Sequence, residues 1–174
     1  MDEIDNWTEN QQMIINQKKT KTMIFNYTEN YQFTTRLLLN NEIVEVIDST
    51  RLFGTIITND IKWDLNTANI VKKANARMEL LRRVVSFGTP VEDLKTIYIL
   101  FIRSILEQSS PVWHSSITEE NKDDLERIQK SAVKIILQEK YKGYSQGLAQ
   151  LGLEPLADRR EQILLKFCPK MPQK

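Results

Sequence analysis

IKWDLNTANIVKKANARMELLRRVV, residues 61–85, is where the chain changes its period. Ahead of it, short apolar runs are separated by polar turns. From Leu65 onward Val71, Ala74, Met78, Leu81 and Val85 recur three or four residues apart, the spacing of one face of an α-helix. The change near Trp63 divides the chain into residues 1–63, with strand signals, and 64–174, with helix signals. The expected fold class is α+β, a small antiparallel β portion followed by a helical bundle.

Toward the amino terminus, MIIN (13–16) and TMIF (22–25) are short β-prone runs flanking a polar turn that carries Lys18, Lys19 and Lys21. RLLLNNEIVEV (36–46) places Asn40-Asn41 between two apolar stretches, where they can take the positive φ angles of a tight hairpin. RLFGTIIT (51–58) reads as one further strand closed by Asn59-Asp60. Gly54, the only glycine of this part, falls inside that strand and suggests a bulge or a close approach of backbone.

Toward the carboxy terminus, TPVE (89–92) predicts a helix start with Thr89 as cap, Pro90 first and Glu92 completing a capping box. Leu94, Ile97, Tyr98, Phe101 and Ile105 form its expected buried stripe. A third helix is expected from Thr118 to about Leu137, with Leu125, Ile128, Ala132, Ile135 and Ile136 inward. Short helices near Ser145 to Leu151 and Pro155 to Phe167, separated by Gly152, finish the chain.

The 174 residues, 41% hydrophobic, allow one domain or two small ones. Twenty-four Lys and Arg against 23 Asp and Glu leave a net charge of +1, so a nucleic-acid surface has to come from local clustering. The one cluster is Lys72, Lys73, Arg77 and Arg83, on an arc adjoining the apolar face of their helix, with Glu79 as the only nearby acid. A solvated helix face is the other reading of it. Cys168 and His114, each single of its kind, exclude a disulfide framework, a Cys/His zinc site and a Cys-His nucleophile.

MDEIDNWTENQQ has no signal-peptide pattern, and no apolar run approaches the roughly 20 residues of a membrane span. An intracellular chain without a membrane partner is expected. The glycosylation-like triplets at Asn6 and Asn26 are then coincidental. Trp113 reads as a core anchor at a helix-to-loop junction and His114 as structural. Glu107 and Arg127, charged within apolar helical stretches, suggest a buried or half-buried ion pair holding helices together, a role that other partners could also fill; Arg159-Arg160 suggest another anchor or a surface patch.

Taken in order, these landmarks resemble the carboxy-terminal portion of the reverse transcriptase of non-LTR (LINE-like) retrotransposons. That family has an Asn-x-x-Lys-Thr-x-x-Met segment, matched by Asn16, Lys19, Thr20 and Met23. It then has an aromatic or Leu followed by Gly and a stretch ending in Trp, matched by Leu52-Phe53-Gly54 and Ile61-Lys62-Trp63. IVKKANARMELLRRV (70–84), YILFIRSILEQSSPVWHSS (98–116), DLERIQKSAVKIIL (124–137) and PLADRREQILLKF (155–167) look like the successive helices of its thumb. The resemblance runs from about Trp7 to Phe167; each motif alone is weak and the ordered set is specific. It implies a distal polymerase palm in residues 1–63 and a thumb in 64–174.

Carried onto this chain, the resemblance makes Lys19 the lysine beside the nucleotide's polyphosphate, where a cation stabilises developing charge. The alternative is a solvated loop whose lysines guard an edge strand. Phe53-Gly54 would be the primer grip, or else a strand bulge. Lys72, Lys73, Arg77 and Arg83 would follow the minor groove of an RNA/DNA or primer-template duplex through phosphate and sugar. The family's two magnesium ions sit on carboxylates of an Ala-Asp-Asp turn and an earlier strand. No such turn precedes Lys19, residues 1–10 cannot supply the missing fingers and palm segment, and Asp123-Asp124 fall near a helix amino end, where acids suit the dipole. Magnesium is therefore implied for the intact enzyme, with no metal site, cofactor or polymerase activity in this chain alone. A domesticated helical protein-interaction module, or a decayed copy without function, is the alternative.

Overall fold

The computed structural model describes residues 7–8, 10–25, 37–39 and 42–168. The expected Asn40-Asn41 turn and the triplet asparagines Asn6 and Asn26 lie outside the described residues. The chain divides into two compact units, Met1–Lys62 and Trp63–Lys174.

In the first unit the strands are short and paired in twos: β1 (Lys21–Thr22) with β4 (Glu45–Val46), β2 (Leu38–Leu39) with β3 (Glu42–Ile43), and β5 (Ser49–Leu52) with β6 (Thr55–Thr58). The last two pairs are antiparallel, as expected for this part. β1 and β4 run parallel, with Lys21 opposite Glu45, which departs from that expectation. The intervening chain is long enough to return in the same direction, and a Lys21–Glu45 ion pair joins the opposed side chains across the ladder. Among the described residues of this unit, Leu39 and Val44 are the buried apolar ones.

RLFGTIIT is not one strand. It splits into the hairpin β5–β6, because Phe53 and Gly54 both have positive φ, 49° and 87°. Two such residues make the primed turn whose twist matches that of the flanking strands. The glycine is thus a turn residue and not a bulge. Asn59 and Asp60 do close the segment: Asn59 donates to the Asp48 carbonyl (2.8 Å), and Asp60 accepts from the Thr58 hydroxyl (2.6 Å) and the Lys62 amide (3.0 Å). Gly54→Val, which puts a branched side chain at that φ, is expected to cost about 1–2 kcal/mol. Faster amide exchange confined to β5 and β6 is the expected reading; unchanged protection there would contradict the turn assignment.

The second unit is helical. α1 (Asp64–Ser86) buries Ile70, Ala74, Met78 and Leu81. α2 covers 91–106 as three continuous segments, Val91–Ile97, a π turn Tyr98–Arg103 and Ser104–Leu106. α3 (Ser110–Trp113) runs into a 3₁₀ turn at His114–Ser116. α4 (Glu119–Leu137) starts with the Thr118 hydroxyl accepting from the Asn121 amide (3.2 Å), a side-chain cap. α5 (Tyr144–Leu151) and α6 (Leu156–Phe167) follow. α5 sits so close to α4 that a Cβ on Gly147 would stand 2.6 Å from Val133 Cγ1. α1 is tied to α4 at their amino ends, where Asn121 Nδ2 donates to Asp64 Oδ1 (2.7 Å).

Two expectations for α2 are corrected. Pro90, not Thr89, is the cap residue, and it makes no side-chain cap bond. The Thr89 hydroxyl instead donates to the Val84 carbonyl (2.9 Å), satisfying the end of α1. The expected stripe is also displaced. Leu94, Tyr98, Ile102 and Leu106 are buried, whereas Phe101 is 47% exposed and Ile97 and Ile105 are only partly covered. The π turn accounts for this, since its i→i+5 bonding adds a residue to the turn and advances the inward face by one position.

Candidate nucleic-acid interface

The helical period of α1 places Lys72, Lys73, Arg77 and Arg83 within an arc of about 140°, outside the strip that carries Ile70, Ala74, Met78 and Leu81. Lys72, Arg77 and Arg83 are exposed and Lys73 is partly covered. None of the four forms an ion pair among the described residues. Glu79, the acid expected nearest to them, is held by Arg82 on the other flank (2.5 Å). The four positive charges are therefore not neutralised within the helix. Leu65 and Leu80 are exposed on the same arc, so the surface alternates cations with apolar side chains.

Lys19 ends a single 3₁₀ turn, Gln17–Lys19. Its amide donates to Asn16 Oδ1 (3.2 Å), and the Thr20 hydroxyl donates to the Asn16 carbonyl (2.9 Å). The Asn and Thr of the Asn-x-x-Lys-Thr pattern thus shape the turn that displays Lys19 to solvent. Lys18 and Lys19 make no ion pair among the described residues, while Lys21 is consumed by Glu45. Phe53-Gly54 form the tip of the β5–β6 hairpin, with the Phe53 side chain 89% exposed. Within the first unit these two features stand on separate elements; within the second, the four cations share one face of α1.

A magnesium ion does not fit the described residues, since no group of three or more His, Cys, Asp or Glu side chains converges among them. Asp124 is engaged by Arg127 (2.5 Å), and Asp123 faces solvent beside it.

Glu107 does not pair with Arg127. It accepts from Arg159 on α6 and lies 3.8 Å from Arg103, one turn back on its own helix, whereas Arg127 is exposed. Among the described residues the ion pair that reaches from one helix to another is thus Glu107–Arg159. Trp113 is fully buried, with its indole donating to the Gln108 carbonyl (2.9 Å), as expected for an anchor.

A polar network that the sequence did not single out crosses the helical core. The Tyr98 hydroxyl donates to Gln129 Oε1 (2.5 Å), and Gln129 Nε2 donates to the Tyr144 hydroxyl and the Glu154 carbonyl (2.9 Å each). Tyr144 donates in turn to Glu126, whose carboxylate also accepts from the Leu156 amide (3.0 Å) at the start of α6. Burial, then the Glu126 bond, pushes the Tyr144 phenol up, and burial does the same for Tyr98, so both remain donors. The signal in the sequence was Gln129, a polar residue in phase with Leu125, Ala132 and Ile136.

No family model, curated protein or solved structure matches this chain. Among the described residues no helix is long and apolar enough to cross a membrane.

Proposed function

We propose that this chain is the distal palm and thumb portion of a reverse transcriptase of the non-LTR retrotransposon type, and that α1 holds an RNA/DNA or primer-template duplex without regard to sequence. The observation that carries the reading is the cationic arc of Lys72, Lys73, Arg77 and Arg83, which has no ion-pair partner among the described residues. Cations free of internal partners can displace the counterions condensed on phosphates, which is the main source of sequence-independent affinity. Leu65 and Leu80 between them suit the sugar edge of the wide, shallow minor groove of an A-form helix. The Phe53-Gly54 tip and the Lys19 turn fit primer and nucleotide contacts of the parent polymerase, completed by its fingers and the rest of its palm. The activity proposed for the chain itself is duplex binding through this arc.

Competition between two RNA/DNA hybrids of unrelated sequence tests this reading. Equal competition, weakening together as salt rises, is the expected result; preference for one sequence, or affinity indifferent to salt, would sink it. A helical protein-interaction module is the second reading, favoured by Leu100 and Phe101, which the π turn of α2 leaves exposed.

A further inference from the structure

His114 and Arg160 form a contact that the duplex-binding reading does not use. Arg160, on α6, is fully buried, and its Nε donates to Nδ1 of His114 (3.3 Å). Its two terminal nitrogens have no hydrogen-bond partner among the described residues. The guanidinium lies over the Trp113 ring, 5.7 Å from the centroid, where the π face attracts its charge. Among the described residues His114 Nδ1 is thus the single hydrogen-bond acceptor for a buried cation that docks α6 on the α3 end. An imidazole nitrogen accepts only while it is unprotonated.

The surrounding charges decide what protonation does. Facing His114 are Arg160 and Glu161 of α6 and Lys122 of α4; facing Arg160 are Glu126 of α4 and Glu107 and Tyr98 of α2. The carboxylates of Glu126 and Glu107 are already committed, one to the start of α6 and Tyr144, the other to Arg159. Lys122 is tied to Glu119 (2.7 Å) on the exposed side of α4. A proton on Nδ1 therefore removes the acceptor and sets two cations against each other in a buried place, opposed by the charge of Glu161 beside the imidazole and by the already committed carboxylates of Glu126 and Glu107 beside the guanidinium.

We propose that His114 and Arg160 act as an acid-released latch: protonation of the imidazole frees α6 from the Trp113 face while the α1–α4 core of the helical unit stays packed. Burial, then Arg160 and Lys122, hold the imidazole below its ordinary 6.5, which Glu161 only partly opposes. The released form has the ordinary value and binds the proton more readily. Stability of the docked form is therefore full above pH 6.5 and is lost as pH falls through the docked-state value.

His114 is the only histidine of the chain, so its ring resonance can be followed by NMR without assignment ambiguity. In the full chain, the expected midpoint lies below 6.5. Over the same interval the protection factors of the Trp113 indole and of the α6 amides should fall by up to about tenfold per pH unit, while those of α1 hold. His114→Gln keeps an acceptor and cannot titrate, and its protection is expected to be flat with pH. A midpoint at or above 6.5, protection of α6 unchanged across the titration, or a pH dependence that persists in His114→Gln would overturn the latch. If His114→Gln does not fold, the wild-type titration decides alone.

Discussion

Glu126→Ala is expected to destabilise the helical unit by about 3 kcal/mol, because one carboxylate serves three elements. It accepts from the Leu156 amide, and so closes the amino end of α6. It accepts from Tyr144 on α5, and through Tyr144 it supports Gln129 and Tyr98. It is also a counter-charge for Arg160, which would be left deeper in an apolar setting. Removing one partner leaves buried donors unsatisfied, and this is dearer than never having placed them. Tyr144→Phe removes one link and should cost about 1 kcal/mol. The double mutant should fall short of the sum by about 0.5–1 kcal/mol, since the two substitutions remove a shared link. Denaturant midpoints with an unchanged slope check all three; additive losses would mean that the bonds are independent.

Reversing the four cations of α1, as Lys72→Glu, Lys73→Glu, Arg77→Glu and Arg83→Glu, is expected to lower affinity for an RNA/DNA hybrid by about a hundredfold or more near 0.1 M salt. On the proposed reading each substitution removes a phosphate contact and adds a repulsion, and none of the four side chains has an ion-pair partner to lose among the described residues. The fold should tolerate the change, since α1 buries Ile70, Ala74, Met78 and Leu81 and not these residues. Arg82→Glu is the control of equal charge at a single position. Arg82 already pairs with Glu79 on the other flank of the helix, so its reversal should weaken binding by no more than a few-fold.

What could be read from residues was wherever local pattern and tertiary packing agree. The apolar spacing in IVKKANARMELLRRV located α1 to within a residue or so, and the start of α4 fell at Thr118, whose hydroxyl caps it. Thr89 looked equally suited to cap α2, but the nearby Val84 carbonyl claims its hydroxyl. The stripe of α2 was mis-phased because a π turn leaves no mark in a three-or-four spacing. Phe53 obscured the hairpin, since a bulky residue at positive φ is uncommon and Phe-Gly is not one of the usual turn pairs. Of the interface, the basic arc was legible as a charge pattern, but the withdrawal of Glu79 to Arg82 depends on which way two long side chains turn. The Glu107 partner stayed open between Arg127 and others for a related reason: Arg127 and Arg159 both belong to helices that pack in the unit, and only the fold says which one reaches Glu107.

The most direct measurement is the dependence of RNA/DNA hybrid affinity on salt for the unaltered chain and for the four-residue reversal. With four phosphates neutralised, the logarithm of affinity should fall against the logarithm of salt with a slope of about −3 to −4, roughly a hundredfold between 50 and 200 mM, and the reversed chain should show neither the affinity nor the slope. Equal affinity and equal slope for the two chains would contradict the assignment of duplex binding to α1.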